Sequence, residues 1–432
     1  MRRSQERVLH GPVADLGGSM QVPTSKSLTN RALIAAAVAG GGTVLEPLDC
    51  EDTRLLAQAL SEAGWPVQWT AGKIQVGSRS EKTEEVRVHL GNSGTGARLI
   101  LALLASVPGR FVVDGTNRLR QRPMGPLIAG LEQLGAQLAV GPDGGLPVTV
   151  EGRSLDGGRV SMRPEMSSQF VSALLLVAPS FCDGLTLVIE GPLPSAPYLE
   201  LTAVILDAFG GVFRHSKEFR EWEVSSGGLR KTSYQVEGDW SAAAFPLGAV
   251  AVAGGEVEVR PLNKRSPQGD RVICEILGSA GMVIRFDGQS LVAGGGVRRP
   301  IFADLEACPD AFPLLAAVSA CRLPGSRLEG LANLVHKESD RLQVMVDNLT
   351  SLGARVRVEE SRFEILETVS RRPREVRLVT AAEDHRIAMA MAVTALAAGP
   401  LSLDNAECVG KSFPDFWGRW TSLIGTGKVD AK

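Results

Sequence analysis

Cations and hydroxyl side chains gather in this chain at a few points where an apolar helix is about to begin. The first is TSKSLTNRALIAAA, Thr24 to Ala37. Ser25 is placed to cap a helix predicted to start near Ser27. That brings Lys26, Ser27 and Arg31 into the first turns, with Ser27 and Arg31 on one face. Unpaired N–H groups and the helix dipole attract anions, so phosphate or carboxylate is the ligand class these residues suit.

Comparable clusters follow. LGNSGTGAR, Leu90 to Arg98, has glycines (Gly94 among them) that let backbone approach a ligand, though it is neither a Walker loop nor G-x-G-x-x-G. NRLRQRP sets Arg118, Arg120 and Arg122 ahead of a helix predicted to begin at Pro123, three guanidiniums suited to fork-like anion binding. MSSQF offers Ser167, Ser168 and Gln169 as neutral donors for a hydroxylated or phosphorylated small molecule. In the second half come Asp310 in CPDAF, Lys337, Glu338 and Arg341 in NLVHKESDR, Arg386 in EDHRIAMA and Lys411 in GKSFPDF. The last two are expected at the starts of helices. Asp310 is a lone acid among apolar residues, where burial and a nearby cation set a pKa for proton transfer. Read one at a time, each cluster is equally an ordinary capped, solvated helix start. With five scattered histidines and no H-x-x-x-H spacing, no metal site is expected.

The elements behind these clusters repeat. An apolar helix, a glycine stop, a strand, a second helix and a further strand recur six times. The last glycine before each strand is Gly42, Gly109, Gly184, Gly255, Gly325 or Gly399, at intervals of 67 to 75 residues. Six units divide into two lobes of three, more than one core in 432 residues. A composition 44% hydrophobic and 22% charged is that of a soluble globular protein, and a net charge of −2 gives no basic field for nucleic acid. The six cysteines show no zinc-like spacing, and the opening MRRSQERVLHGPV has no apolar signal core. Cytoplasmic residence, without a membrane partner, is the expectation. The most apolar stretch, Ile387 to Leu403, is cut by Gly399-Pro400 and reads as a buried helix.

The ordered set SKSLTNRALIAAA, LGNSGTGAR, RQRPM, SSQFVSALLL, VEGDWSAAAFPL, PDAF, KESDRL, DHRIAMA and KSFPDF resembles the 5-enolpyruvylshikimate-3-phosphate synthase family over nearly the whole chain. The resemblance implies α/β architecture, a two-lobed inverse α/β barrel of six βαβαββ repeats with the active site in the cleft. One lobe spans 24–238, the other 1–23 with 239–432, with crossovers near Pro23 and Gly238. It implies enolpyruvyl transfer from phosphoenolpyruvate to a hydroxyl of shikimate 3-phosphate, in the shikimate pathway to aromatic amino acids, by a monomer without metal or cofactor. By resemblance, shikimate 3-phosphate falls to Ser27, Arg31, Ser167, Ser168, Ser195, Asp310, Asn333 and Lys337. Phosphoenolpyruvate falls to Lys26, Gly94, Arg122, Gln169, Arg341, Arg386 and Lys411. Asp310 and Glu338 carry protons, with Lys26 sharing the work.

Two rivals stand beside this reading. The related UDP-N-acetylglucosamine enolpyruvyl transferases lead one to expect a reactive Cys before the Arg-Pro step, and Asp114 to Arg122 contains none. The other is a non-catalytic anion-binding scaffold. Five cations divided between the lobes would repel each other around an empty cleft, so the lobes are expected to rest apart until ligands arrive.

Overall fold

At the repeat boundaries at Gly184 and Gly255 the chain turns sharply from helix to strand, and backbone packing leaves no room there for a side chain. A Cβ on Gly184, at φ +71°, would lie 2.3 Å from the Val224 carbonyl oxygen, and one on Gly255, at φ +85°, 2.0 Å from that of Leu16. The computed structural model describes residues 6–429. Residues 1–5, part of the opening segment read as lacking an apolar core, and residues 430–432 lie outside the described residues. The chain divides into two compact units, 24–237 and 1–23 with 238–432.

In the 24–237 unit the helices are α1 (Lys26–Val38), α2 (Glu51–Glu62), α3 (Gly94–Ala105), α4 (Asn117–Arg120), α5 (Gly125–Gln133), α6 (Gln169–Val177) and α7 (Pro197–Ala208). Three four-stranded sheets share one pattern: a strand parallel to the next, then two antiparallel neighbours. In the middle sheet the chain runs Val86–His89, α3, Gly109–Asp114, α4 and α5, Gln137–Ala139 and Val148–Gly152, a complete βαβαββ unit. The first sheet borrows its opening strand from the unit's far end, Ser233–Gln235 beside Gly42–Leu45. α1, α3 and α6 pack against one another and are buried nearly all round, the polar side chains of α1 and α3 near their N-terminal ends included. The Ala run of α1 permits this close approach. The sheets and α2, α5 and α7 cover them.

The second unit repeats the plan with α8 (Trp240–Ala253), α9 (Ile273–Ser279), α10 (Phe312–Arg322), α11 (Arg341–Ser351), α12 (His385–Ala398) and α13 (Phe416–Ile424). Here α8, α10 and α12 form the mutual core. Its first sheet takes its opening strand from near the N-terminus, Ser19–Gln21 beside Glu256–Arg260. The sixth repeat departs from the expected βαβαββ form. Among the described residues its sheet has three strands, and the antiparallel neighbour of Leu401–Leu403 is Arg7–Leu9. Among the described residues, no helix is long and apolar enough to cross a membrane.

Candidate active site

Several of the clusters expected from the sequence settle at helix N-termini. In the 24–237 unit Ser25 caps α1, its Oγ accepting from the Leu28 N–H at 3.5 Å, so the helix opens at Lys26, one residue earlier than expected. The Lys26 Nζ lies 3.1 Å from the Asp52 carboxylate near the start of α2. Ser27 is half-buried beside it. Arg31 is 1% exposed and points into the protein, donating to Thr202 Oγ1 at 3.0 Å, Ser172 Oγ at 3.1 Å and the carbonyls of Ser27 and Tyr198. Burial lowers its pKa to about 10. Its observed partners tie α1 to α6 and α7, a bracing role that the anion-binding expectation did not include.

Gly94 opens α3 behind Ser93, whose Oγ accepts from the Gly96 N–H. A Cβ on Gly94 would fall 2.6 Å from the Arg122 guanidinium, so the glycine is what lets Arg122 lie across the helix start. Arg122 is buried and donates to the Asn92 carbonyl at 3.3 Å. The three arginines expected together are not equivalent: Arg120 is exposed and forks onto Asp114 at 2.6 and 2.8 Å. The following helix begins at Gly125, not at Pro123, because residues 117–120 already form a short turn of their own.

Gln169 opens α6, its N–H accepted by Ser167 Oγ at 3.2 Å, while Ser168 Oγ donates to the Ser195 carbonyl at 3.0 Å. Ser195 has φ +57°, a left-handed conformation that a non-glycine residue holds only against strain.

The second unit gathers most of the charge. Asp310 meets the Lys337 Nζ at 3.1 Å, Arg341 Nη1 at 2.8 Å and Arg386 Nη2 at 2.9 Å. Glu338 meets Arg341 Nη2 at 2.8 Å and the Lys411 Nζ at 3.7 Å. Asp384, wholly buried, caps α12 by accepting from the Arg386 N–H at 2.9 Å and takes the Arg341 Nε at 2.7 Å. Asn333 is half-buried in the turn Ala332–His336 just before Lys337. Lys411 closes the turn Ala406–Lys411 rather than starting a helix; α13 begins only at Phe416.

These contacts revise the charge argument. Arg341, Arg386 and Lys411 are not bare like charges: Asp310, Glu338 and Asp384 are interleaved with them, and Asp52 answers Lys26. Burial acts to raise the Asp310 pKa, yet Arg386, Lys337 and Arg341 overcome it and hold the carboxyl well below its usual range. For Arg341 burial opposes the charge, and Asp384, Glu338 and Asp310 outweigh it and hold the pKa above its ordinary value. Asp310 therefore rests as a carboxylate.

Three acids and bases in these constellations were missed from the sequence: Asp52, Arg98 and Asp384. Asp384 carried a usable signal, an acid directly before the apolar run HRIAMAMA, which predicts an N-cap. Its pairing with Arg341, 43 residues away, had none. Among the described residues no group of three or more His, Cys, Asp or Glu is placed to hold a metal ion.

Comparison with known proteins agrees along the chain. A profile of EPSP synthase (3-phosphoshikimate 1-carboxyvinyltransferase) matches residues 11–420. The 3-phosphoshikimate 1-carboxyvinyltransferase of Syntrophobacter fumaroxidans is 37% identical over 95% of this chain and 98% of its own. That of Methanoculleus marisnigri is 38% identical over 96% and 98%. Among solved structures, EPSP synthase from Acinetobacter baumannii superposes with a TM-score of 0.78 at 27% identity, covering 97% of this chain and 98% of that one. The enolpyruvyl transferase NikO from Streptomyces tendae reaches the same TM-score at 16% identity, over 98% of each chain, a likeness of fold. Six repeats, ordered motifs at helix starts and full-length relatives above 30% identity converge, and the chain belongs to the EPSP synthase family.

Proposed function

We propose that the chain transfers the enolpyruvyl group of phosphoenolpyruvate to a hydroxyl of shikimate 3-phosphate, releasing phosphate. Proton addition to the donor's methylene carbon makes the neighbouring carbon electrophilic; the acceptor oxygen bonds there and gives up its proton. The tetrahedral adduct then loses a proton from the new methyl group as its C–O bond to phosphate breaks, restoring the double bond. The observation that carries this reading is Asp310, a carboxylate held ionised by Lys337, Arg341 and Arg386.

As a resting carboxylate, Asp310 takes the hydroxyl proton. Glu338 and Lys26 serve the methylene carbon, the first held against Arg341 and Lys411, the second against Asp52. Donor carboxylate and phosphate fall to Lys26, Gly94, Arg122, Gln169, Arg341, Arg386 and Lys411. When those anions occupy Arg341 and Arg386, they weaken the hold on Asp310 and raise its proton affinity at the step that needs it. The acceptor engages Ser27, Ser167, Ser168, Ser195, Asp310, Asn333 and Lys337, with Arg31 bracing the helices that carry the serines. The chain is read as a monomer, and six unpaired thiols support a reducing cytoplasm.

Phosphate release tests this directly. It is expected only when phosphoenolpyruvate and shikimate 3-phosphate are supplied together. Equal release with a UDP-sugar acceptor, or none with either, overturns the assignment.

A further inference from the structure

Arg98 stands four residues after Gly94 on α3 and is 2% exposed. Its Nη1 lies 2.6 Å from Gln169 Oε1, its Nη2 donates to the Pro123 carbonyl at 2.8 Å, and its guanidinium carbon sits 5.0 Å over the Phe170 ring. A guanidinium has five N–H donors and no acceptor, so only the oxygen of an amide can approach it this closely. The orientation of the Gln169 side chain is thereby decided by chemistry: Oε1 is held by Arg98, and the Nε2 hydrogens are turned away from it. A free amide at the mouth of a helix could present either end. One held this way presents donors only.

We propose that Arg98 is a positioning residue for the enolpyruvyl donor, acting through Gln169. This rests on the function proposed above. Anchored by the Pro123 carbonyl and the Phe170 ring, Arg98 locks the amide so that Gln169 donates to an anion at the start of α6. Without that lock the amide turns over in part of the population and sets its oxygen lone pairs against the anion, a repulsive contact where a hydrogen bond should be. Binding of phosphoenolpyruvate, not folding, is what the lock controls.

Steady-state phosphate release, with each substrate varied in turn, tests it on the full chain. Arg98→Met is expected to raise the phosphoenolpyruvate KM about tenfold and leave the shikimate 3-phosphate KM within about twofold. Arg98→Lys, which still donates to Oε1, should recover most of that loss. Adding Arg98→Met to Gln169→Met should cost no more than about twofold beyond Gln169→Met alone, since the first residue acts through the second. Gln169→Glu keeps the pairing with Arg98 but offers no N–H, so its donor KM should exceed that of Gln169→Met; this variant decides the matter if Arg98→Met does not fold. A donor KM within twofold of the parent in Arg98→Met, an equal rise for both substrates, or a Gln169→Glu variant binding donor as the parent does, overturns the role of Arg98 while leaving the function standing. An inactive parent overturns both.

Discussion

Gly94 shows how one hydrogen atom decides a contact. An added methyl would overlap the Arg122 guanidinium, the far end of a long side chain, which would have to shift. Gly94→Ala is therefore expected to melt with the parent while its phosphoenolpyruvate KM rises about tenfold, an effect of about 1.4 kcal/mol on binding. Kinetics with each substrate varied would show it; an unchanged donor KM would mean Arg122 does not hold the donor. Asp310→Asn keeps the shape and loses the proton acceptor, so turnover should fall at least about a hundredfold, and a variant within a few-fold of the parent would remove Asp310 from the mechanism.

The same carboxylate makes a stability statement. Its folded pKa lies below its unfolded value of about 3.9, so its contribution is complete above that pH and is lost as the pH falls through the folded value. Denaturant unfolding should find the gap between parent and Asp310→Asn constant from about pH 5 upward and closing below about pH 4. A gap that widens in acid would contradict the ion pairing described here.

At the scale of the element, Asp384 does two jobs at one helix start. Its Oδ1 caps α12 at the Arg386 N–H, and its Oδ2 receives the Arg341 Nε, so α11 and α12 are fastened where their cations emerge. Removing one partner of a buried pair leaves the other uncompensated. Asp384→Ala should lose about 3–5 kcal/mol, measured by chemical denaturation, with Asp384→Asn recovering the part due to the cap. A loss under about 1 kcal/mol in Asp384→Ala would show that Arg341 is held by Asp310 and Glu338 alone.

Across the whole molecule, Lys26, Arg122 and Gln169 belong to one compact unit and Arg341, Arg386 and Lys411 to the other. The expected obstacle was repulsion among bare cations. Because the cations are paired with acids, the cost of binding becomes that of drawing Arg341, Arg386 and Lys337 away from Asp310. An acceptor that engages Lys337 bears part of that cost first. Phosphoenolpyruvate should then bind more tightly in its presence, with a coupling of about 1–3 kcal/mol. Calorimetric titration of the Asp310→Asn protein with and without shikimate 3-phosphate measures this, and equal affinities would show that the two substrates are independent.

The six repeats were legible because helix, glycine stop and strand are local events: a turn at Gly184 or Gly255 that admits no Cβ leaves glycine in the sequence, and a helix buried all round leaves an unbroken apolar run. Residue types at helix starts were legible for the same reason, since a cap and its helix are neighbours in the chain. What tertiary structure alone decided is who pairs with whom. Arg31 bonded to Thr202, Asp384 under Arg341, and Arg98 against the amide of Gln169 all depend on which helices are packed together. Closure of each unit was also decided there, with Ser233–Gln235 and Ser19–Gln21 supplying strands to repeats that begin far away and Arg7–Leu9 completing the shortened sixth sheet. Charge pairing and strand partnership act through space, and spacing along the chain carries no trace of them.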